Sequence, residues 1–239
     1  MIEEIKKFYD KTKLEKNELE SNETEDLLPV SWTHVFHKEY PRLPSVVLPK
    51  TKNNESELET LLETRESTRF FSTKSINLDD IARILSSCRI VDSKRIPERR
   101  TYPSGGARFP VELYLISFNI NGIDMGAYHY NLKRNSLELL LKSDLRNRRR
   151  EIISPYLENP AAAIIFTSVI GRSEVKYGIK AYPFSLIEAG HMGQNIHFVC
   201  IELGLGSCSV SGFVNDSIVE ILDLTENEIP IYVICVGNK

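Results

Sequence analysis

The run PFSLIEAGHMGQNIHFVCIEL, residues 183–203, decides how the rest of the chain is read. It predicts the longest helix of the protein, apolar on nearly every side. A helix of that kind belongs at the centre of a fold or in a dimer interface, because no face of it suits water. Glu188, His191, Gln194, Asn195, His197 and Glu202 interrupt the apolar run and exclude a membrane span. Gly190 and Gly193 lower helix propensity but admit the close approach of another backbone.

Working outward from this helix, residues 161–168 (AAAIIFTS) read as a buried strand, and 144–157 as a charged helix. Residues 126–131 and 137–141 form a hairpin around Lys133 to Ser136. Residues 111–118 form another strand, and Asn121-Gly122 marks a turn. A helix starts near Asn77 with Leu78, Ile81, Ile84, Leu85 and Cys88 on its buried side, and an earlier one starts at Ser56 in capping-box form. Beyond the long helix come a short strand near 207–211, a helix near 215–223 and a final strand at 230–236. Helices and hairpins around a sheet, without regular βαβ alternation, give an α+β fold over residues 51–239.

Residues 1–50 read as an arm. Its first 27 residues are rich in Glu, Lys and Asn, which predicts a solvated helix or a partly disordered segment. From 28 to 50 the prolines forbid regular helix or central strand, and Trp32, Phe36 and Tyr40 between them predict an extended piece that wraps onto the main domain or a partner subunit.

The chain has 239 residues, 41% hydrophobic and 26% charged, as expected of a globular domain. A net charge of -3 and a pI near 6.0 exclude nucleic-acid binding that relies on bulk charge. Cys88, Cys200, Cys208 and Cys235 form no Cys-x-x-Cys pair, and three of them sit in apolar runs. Reduced thiols and an N-terminus without an apolar stretch predict a cytoplasmic protein. His34, His37, His129, His191 and His197 show no zinc spacing with the cysteines, so no metal site is expected.

Four segments carry chemistry. Arg65-Glu66-Ser67-Thr68-Arg69 offers two guanidinium forks with hydroxyls between them, the donor set that a phosphate dianion wants; arginines at an ordinary helix end are the bland alternative. Pro103-Ser104-Gly105-Gly106-Ala107-Arg108-Phe109-Pro110 exposes backbone N–H groups on which a flat ring can lie, or is a tight loop feeding a strand. Lys176-Tyr177 is a proton-transfer pair if the lysine is desolvated, or surface charge beside a packing aromatic. Gly204-Leu205-Gly206 lacks the third glycine and the preceding strand of a dinucleotide fingerprint.

In this order, over residues 40–239, the segments resemble the nitroreductase family and within it the SagB-type branch. That branch holds flavin dehydrogenases that oxidise azolines to azoles in ribosomally made peptides. The resemblance rests on Tyr40-Pro41 with Leu48-Pro49, Arg65-x-Ser67-x-Arg69-Phe70, Pro103-Ser104-Gly105-Gly106-Ala107 with Phe109-Pro110, and Gly126-x-Tyr128-x-Tyr130. It continues through Lys176-Tyr177-Gly178, Glu188-Ala189-Gly190-His191 with Gln194-Asn195, and Val236-Gly237.

The resemblance implies a three-layer αβα sandwich around a mixed, largely antiparallel sheet, and a homodimer with FMN at the subunit interface. It assigns Arg65, Ser67 and Arg69 to the FMN phosphate and ribityl chain, Ser104 and Gly105 to the flavin ring, and Pro103 and Gly106 to the cofactor site. Ser211-Gly212 falls where the family places a backbone donor near flavin N5, and Lys239 is the C-terminal basic residue available to the phosphate. Lys176 and Tyr177 match the branch's catalytic pair. The implied activity is hydride transfer from a peptide-derived heterocycle or related natural-product intermediate to FMN. NAD(P)H-dependent nitro or quinone reduction, or a non-catalytic place among the subunits of a peptide-modifying complex, are the alternatives.

Overall fold

The computed structural model describes residues 2–15, 35, 37–49, 56–153 and 155–239. The positions Leu28, Pro29, Trp32, His34 and Phe36 lie outside the described residues. In chain order come α1 (Ile2–Asp10), α2 (Glu57–Thr64), β1 (Ile76–Asn77), α3 (Leu78–Ser86), β2 (Ile90–Asp92), β3 (Arg99–Arg100), β4 (Val111–Ser117) and β5 (Ile120–Asn121). Then follow β6 (Gly126–Asn131), β7 (Ser136–Lys142), α4 (Arg149–Ile152), β8 (Ala162–Val169), α5 (Gly171–Tyr177), α6 (Ala181–Glu202), β9 (Leu205–Val210), α7 (Asn215–Leu222) and β10 (Glu228–Asn238).

The main sheet runs β7-β6-β4-β8-β10-β9, and every neighbouring pair in it is antiparallel. Among the described residues, parallel pairing occurs in the small β1–β5 sheet and in two isolated bridges, Leu14–Val214 and Phe70–Glu158, so the mixed character expected of the fold lies outside the main sheet. The central strands are apolar on both faces because helices cover both. Leu113, Leu115, Ile164, Phe166, Ile234 and Val236 face one way, packed with Ile81, Ile84 and Leu85 of α3 and Met192, Ile196 and Cys200 of α6. The alternate residues Tyr114, Ile116, Ala163, Ile165, Val233 and Cys235 face the other, towards Ile152 of α4 and Ile218, Ile221 and Leu222 of α7. This is a three-layer α+β sandwich.

Helix α6 buries Ser185, Glu188, Ala189, Met192, Gly193, Ile196, His197 and Cys200 on its inner side. Leu186 and Ile187 remain 40% and 57% exposed on the outer side, and Leu58 and Leu62 of α2, a helix in contact with α6, are exposed as well. The two-sided apolar character of this helix therefore has one side satisfied within the chain and one side uncovered.

Three expectations need correction. The charged helix expected over 144–157 is only α4 preceded by a 3-10 turn over Leu145–Arg148, because Ile153 is already extended (φ -137°, ψ 155°) and Pro155 follows. The first segment of the arm is not purely solvated: α1 buries Ile5 and Tyr9 against Ile170, Ala181 and Ile229, and Asn215 donates to the Tyr9 hydroxyl at 2.6 Å. In the extended piece, described residues 37–49 are exposed throughout, with Val46, Val47 and Leu48 at 89%, 90% and 81%. They do not wrap onto the main domain.

Candidate functional site

The arginine segment lies beyond the end of α2, not on it. Ser56 caps that helix by accepting from the Glu59 N–H (3.2 Å), and Arg65 leaves it in extended backbone. From there the chain ties itself to the edge of the sheet. Thr68 N–H donates to Ser207 of β9 (3.0 Å), Phe71 N–H to Glu158 (3.0 Å) and Ser72 N–H to Asn238 (2.8 Å). A Cβ on Gly206 would lie 2.7 Å from Thr68 Cγ2, so the glycine is what lets the segment seat on the strand. Arg65, Ser67 and Arg69 are exposed, and Lys239 reaches back to Glu66 at 2.9 Å. Three cations and a hydroxyl thus gather at one end of the sheet. Burial raises the Cys208 thiol's pKa, while Arg69 and Ser67 pull it down, which puts both beside β9. Ser211 and Gly212 follow directly from that strand.

Beneath the segment lies His197 of α6. Its Nδ1 pairs with Ser207 Oγ (2.7 Å) and its Nε2 with Ser209 Oγ (2.8 Å), and Ser209 continues to the Tyr232 hydroxyl. Burial, with Arg65 nearby, pushes the imidazole pKa down to about 4, so it is neutral at physiological pH. It is a satisfied core histidine, as its apolar helix suggests.

The glycine loop is held in sparsely populated backbone. Gly106 (φ 60°) is joined in the left-handed region by two residues with side chains, Ala107 (φ 52°) and Phe109 (φ 47°). Such strain, about 1–3 kcal/mol per residue, persists only where the surroundings over-determine it. Here Ser104 Oγ accepts from Phe109 N–H (2.9 Å), Arg172 donates to Phe109 O (3.1 Å), and the Arg100 guanidinium stacks 4.0 Å from the Phe109 ring centroid.

Lys176 and Tyr177, on α5 and not on a strand, come to this loop together. A Cβ on Gly106 would overlap the Tyr177 hydroxyl and lie 3.0 Å from Lys176 Nζ. Phe184, at the start of α6, lies against Gly105 and packs edge-on to Tyr177 with centroids 5.1 Å apart. Lys176 is exposed, so the desolvation expected of a base is absent in the single chain.

Two acidic groups stand behind the loop. Glu188 of α6 is 1% exposed; Val111 N–H donates to its Oε1 at 3.4 Å, and its Oε2 has no hydrogen-bond partner. Burial pushes its pKa up to about 7 against the opposing pull of the Ser104 hydroxyl, Val111 N–H, Arg100 and Arg172. Glu112 bridges Arg172 (2.5 Å) and His129 (3.4 Å) along a groove of about 500 Å³. Phe184 and Glu188 of α6 and Arg172 of α5 meet behind the loop from two helices; Glu188 shows in the sequence as a charge in an apolar run, while spacing does not single out the other two.

The two halves of the expected cofactor site do not meet in one chain. Gly105 sits at Phe184 and the Arg65 segment at His197, 13 residues apart on one helix, which is about 20 Å along its axis.

The family model for the nitroreductase family matches residues 62–238, most of the chain. The chain belongs to the nitroreductase family. Among curated nitroreductase-like relatives, a putative nitroreductase of Methanocaldococcus jannaschii is 28% identical over 77% of this chain and 92% of its own length. The microcin B17-processing protein McbC of Escherichia coli is 28% identical over 55% of this chain and 51% of McbC. The trifolitoxin-processing protein TfxB of Rhizobium leguminosarum is 31% identical over 51% of this chain and 34% of TfxB. Among solved structures, a chain of the E. coli microcin synthetase McbBCD complex with truncated pro-MccB17 bound superposes with a TM-score of 0.78 at 22% identity. That match covers 98% of this chain and 91% of the other. Members of the nitroreductase family are in general flavin-binding oxidoreductases, and no helix among the described residues is long and apolar enough to cross a membrane.

Proposed function

We propose that the protein is an FMN-dependent oxidoreductase that oxidises a peptide-derived heterocycle or related natural-product intermediate, and that it works as a homodimer with FMN at the interface. The contact of Lys176 and Tyr177 with Gly106 carries this reading, because it sets an acid–base pair on the loop suited to a flat ring. The residues fit FMN at both ends. Arg65, Ser67, Arg69 and Lys239 supply charge-assisted donors for its phosphate, and Gly105 and Gly106 add no side chains of their own to a loop that Phe184, Tyr177 and Lys176 already border. Ser211-Gly212 supplies backbone donors at the grip's end of the sheet.

The 20 Å separation and the uncovered Leu58, Leu62, Leu186 and Ile187 support dimerisation: a second copy packed against this face brings its glycine loop towards the arginine grip. When bound, FMN supplies a hydride acceptor at N5. Lys176 takes the proton from the atom next to the C–H bond that is broken, and Tyr177 donates to or relays from it. Exposed Val175 and Ile179 flank the pair, so a substrate or second copy seated on them excludes the water that Lys176 meets in the single chain.

The visible spectrum of purified protein tests the cofactor, and Arg69→Ala tests its grip by losing flavin on dialysis. Lys176→Ala is expected to keep flavin and lose turnover; full turnover would remove the base assignment. NAD(P)H-dependent reduction of a nitro or quinone substrate is a second reading, favoured by the archaeal relative matched over nearly its full length. Rapid anaerobic bleaching of the flavin by NADPH would select it. Membership of a multi-subunit peptide-modifying complex is supported by the exposed Val46, Val47 and Leu48 and by the likeness to a chain of the microcin synthetase complex.

A further inference from the structure

The Ser104–Val111 loop raises a question that the cofactor reading does not answer. Two residues with side chains are strained there, and a carboxyl with one orphaned oxygen is buried directly behind them. An ionised carboxylate with a free oxygen is costly in such a place, and side-chain cations do not close on it. Arg100 is engaged by Glu98 and the Tyr102 hydroxyl, and Arg172 by Glu112 and Phe109 O. The groups facing Glu188 are therefore the Ser104 hydroxyl and Val111 N–H of the loop and its strand, with Tyr102, Arg100 and Arg172 further off.

We infer that Glu188 is a protonated positioning residue, whose buried neutral carboxyl holds the Ser104–Val111 loop through Val111 N–H. Oε1 accepts from Val111 N–H at 3.4 Å, and a proton on Oε2, which has no hydrogen-bond partner, spares the site a bare buried charge; Ser104 Oγ meanwhile accepts from Phe109 N–H. Burial, which lifts the carboxyl to about 7, keeps the proton in place through mildly acidic solution, and the proton is lost as pH passes through neutrality. Loss of the proton puts a bare charge under the loop and favours its opening. Glu188 acts through the loop and touches no substrate. The link from loop to cofactor rests on the FMN reading above; the lock itself does not.

Hydrogen exchange of the Ser104–Val111 amides, followed against pH in cofactor-free protein and corrected for intrinsic rates, tests the lock. The opening equilibrium is expected to grow about tenfold per pH unit between the ordinary carboxyl value and about 7, then level off. Glu188→Gln keeps an acceptor and a donor but cannot ionise, so its loop should stay protected with no pH step. Infrared spectra should show a protonated-carboxyl band that titrates near neutrality and is missing from Glu188→Gln. A flat wild-type profile, a Gln variant that follows the wild-type curve, or the absence of that band overturns the proposal. Binding of FMN itself, measured by flavin fluorescence across the same pH range, separates the two ideas. No FMN binding at any pH sinks the cofactor reading and leaves the exchange result to decide on Glu188.

Discussion

Gly190→Ala puts the uncovered face of α6 to a quantitative test. Of the two glycines in that helix, Gly193 has an internal reason, since a Cβ there would lie 2.8 Å from Tyr232 Cε1 and 3.2 Å from Ile234 Cδ1. Gly190 has none: it is exposed, and a Cβ would meet nothing within 4 Å. An exposed helix-interior glycine costs about 1 kcal/mol relative to alanine. If the chain acted alone, the substitution should be a simple gain, worth about 2–4 °C in Tm for a chain of this size.

If a second copy packs on Leu186, Ile187 and Gly190, the helix gain is common to both association states and cancels in the dimer constant. The added methyl then over-packs the interface by about 1–3 kcal/mol, and twofold symmetry inserts it twice. The sum is at least about 2 kcal/mol, so the dimer Kd should rise about 30-fold or more. Sedimentation equilibrium over a dilution series measures this, with thermal melting as the control. A variant that melts about 2–4 °C higher with an unchanged Kd would refute the reasoning and leave Gly190 without a structural purpose.

Gly106→Ala should cost about 1–2 kcal/mol in left-handed backbone alone and expel the Tyr177 hydroxyl. Urea denaturation together with turnover would detect both, and normal turnover would detach the Lys-Tyr pair from the loop. Ile5→Ala removes a side chain buried to 3%, at a cost of about 2–5 kcal/mol, enough to undock α1. Limited proteolysis should then cut within residues 2–15 while the main domain stays intact. The hydrogen bond to Glu112, aided by Glu138, holds the His129 pKa above its usual 6.5. Its contribution to stability is therefore complete below about pH 6.5 and is lost as pH rises through the raised pKa. Melting curves above neutrality should show that loss, and His129→Gln should remove this part of the slope.

Much of the fold is legible in the sequence because period and punctuation agree. The strand starts at Val111 and Gly126, the β8 strand to within one residue at each end, and helix α3 with its buried Ile81, Ile84 and Leu85 follow from local pattern and capping. Local pattern fails where a single long-range event decides. The charge of the first 27 residues hides the Ile5–Tyr9 spacing, whose meaning depends on Ile170, Ala181 and Ile229 waiting elsewhere. Pro155 ends a helix that composition alone would prolong. In the candidate site, Gly106 and Lys176-Tyr177 are visible as separate motifs, and only folding shows that they touch. Glu188 is visible as a charge in an apolar helix; that its Oε2 lacks a partner is a fact of packing, beyond any one-dimensional reading.

Strand β10 has a consequence for the order of events during synthesis. It lies between β8 and β9 and is the last-made strand of the six, so neither neighbour has its full set of partners until residues 228–238 leave the ribosome. The ribosome adds about 5–20 residues per second, so the stretch from Val169 to Asn238 takes roughly 3–14 s to make. For that interval β8 carries an open, mostly apolar edge, a template for pairing with another nascent chain. The arginine segment is left waiting too, since the strand that anchors Thr68 is itself held in the sheet by β10 alone. A nascent chain stalled before residue 228 has Arg65, Ser67 and Arg69 but not the sheet edge that orders their segment.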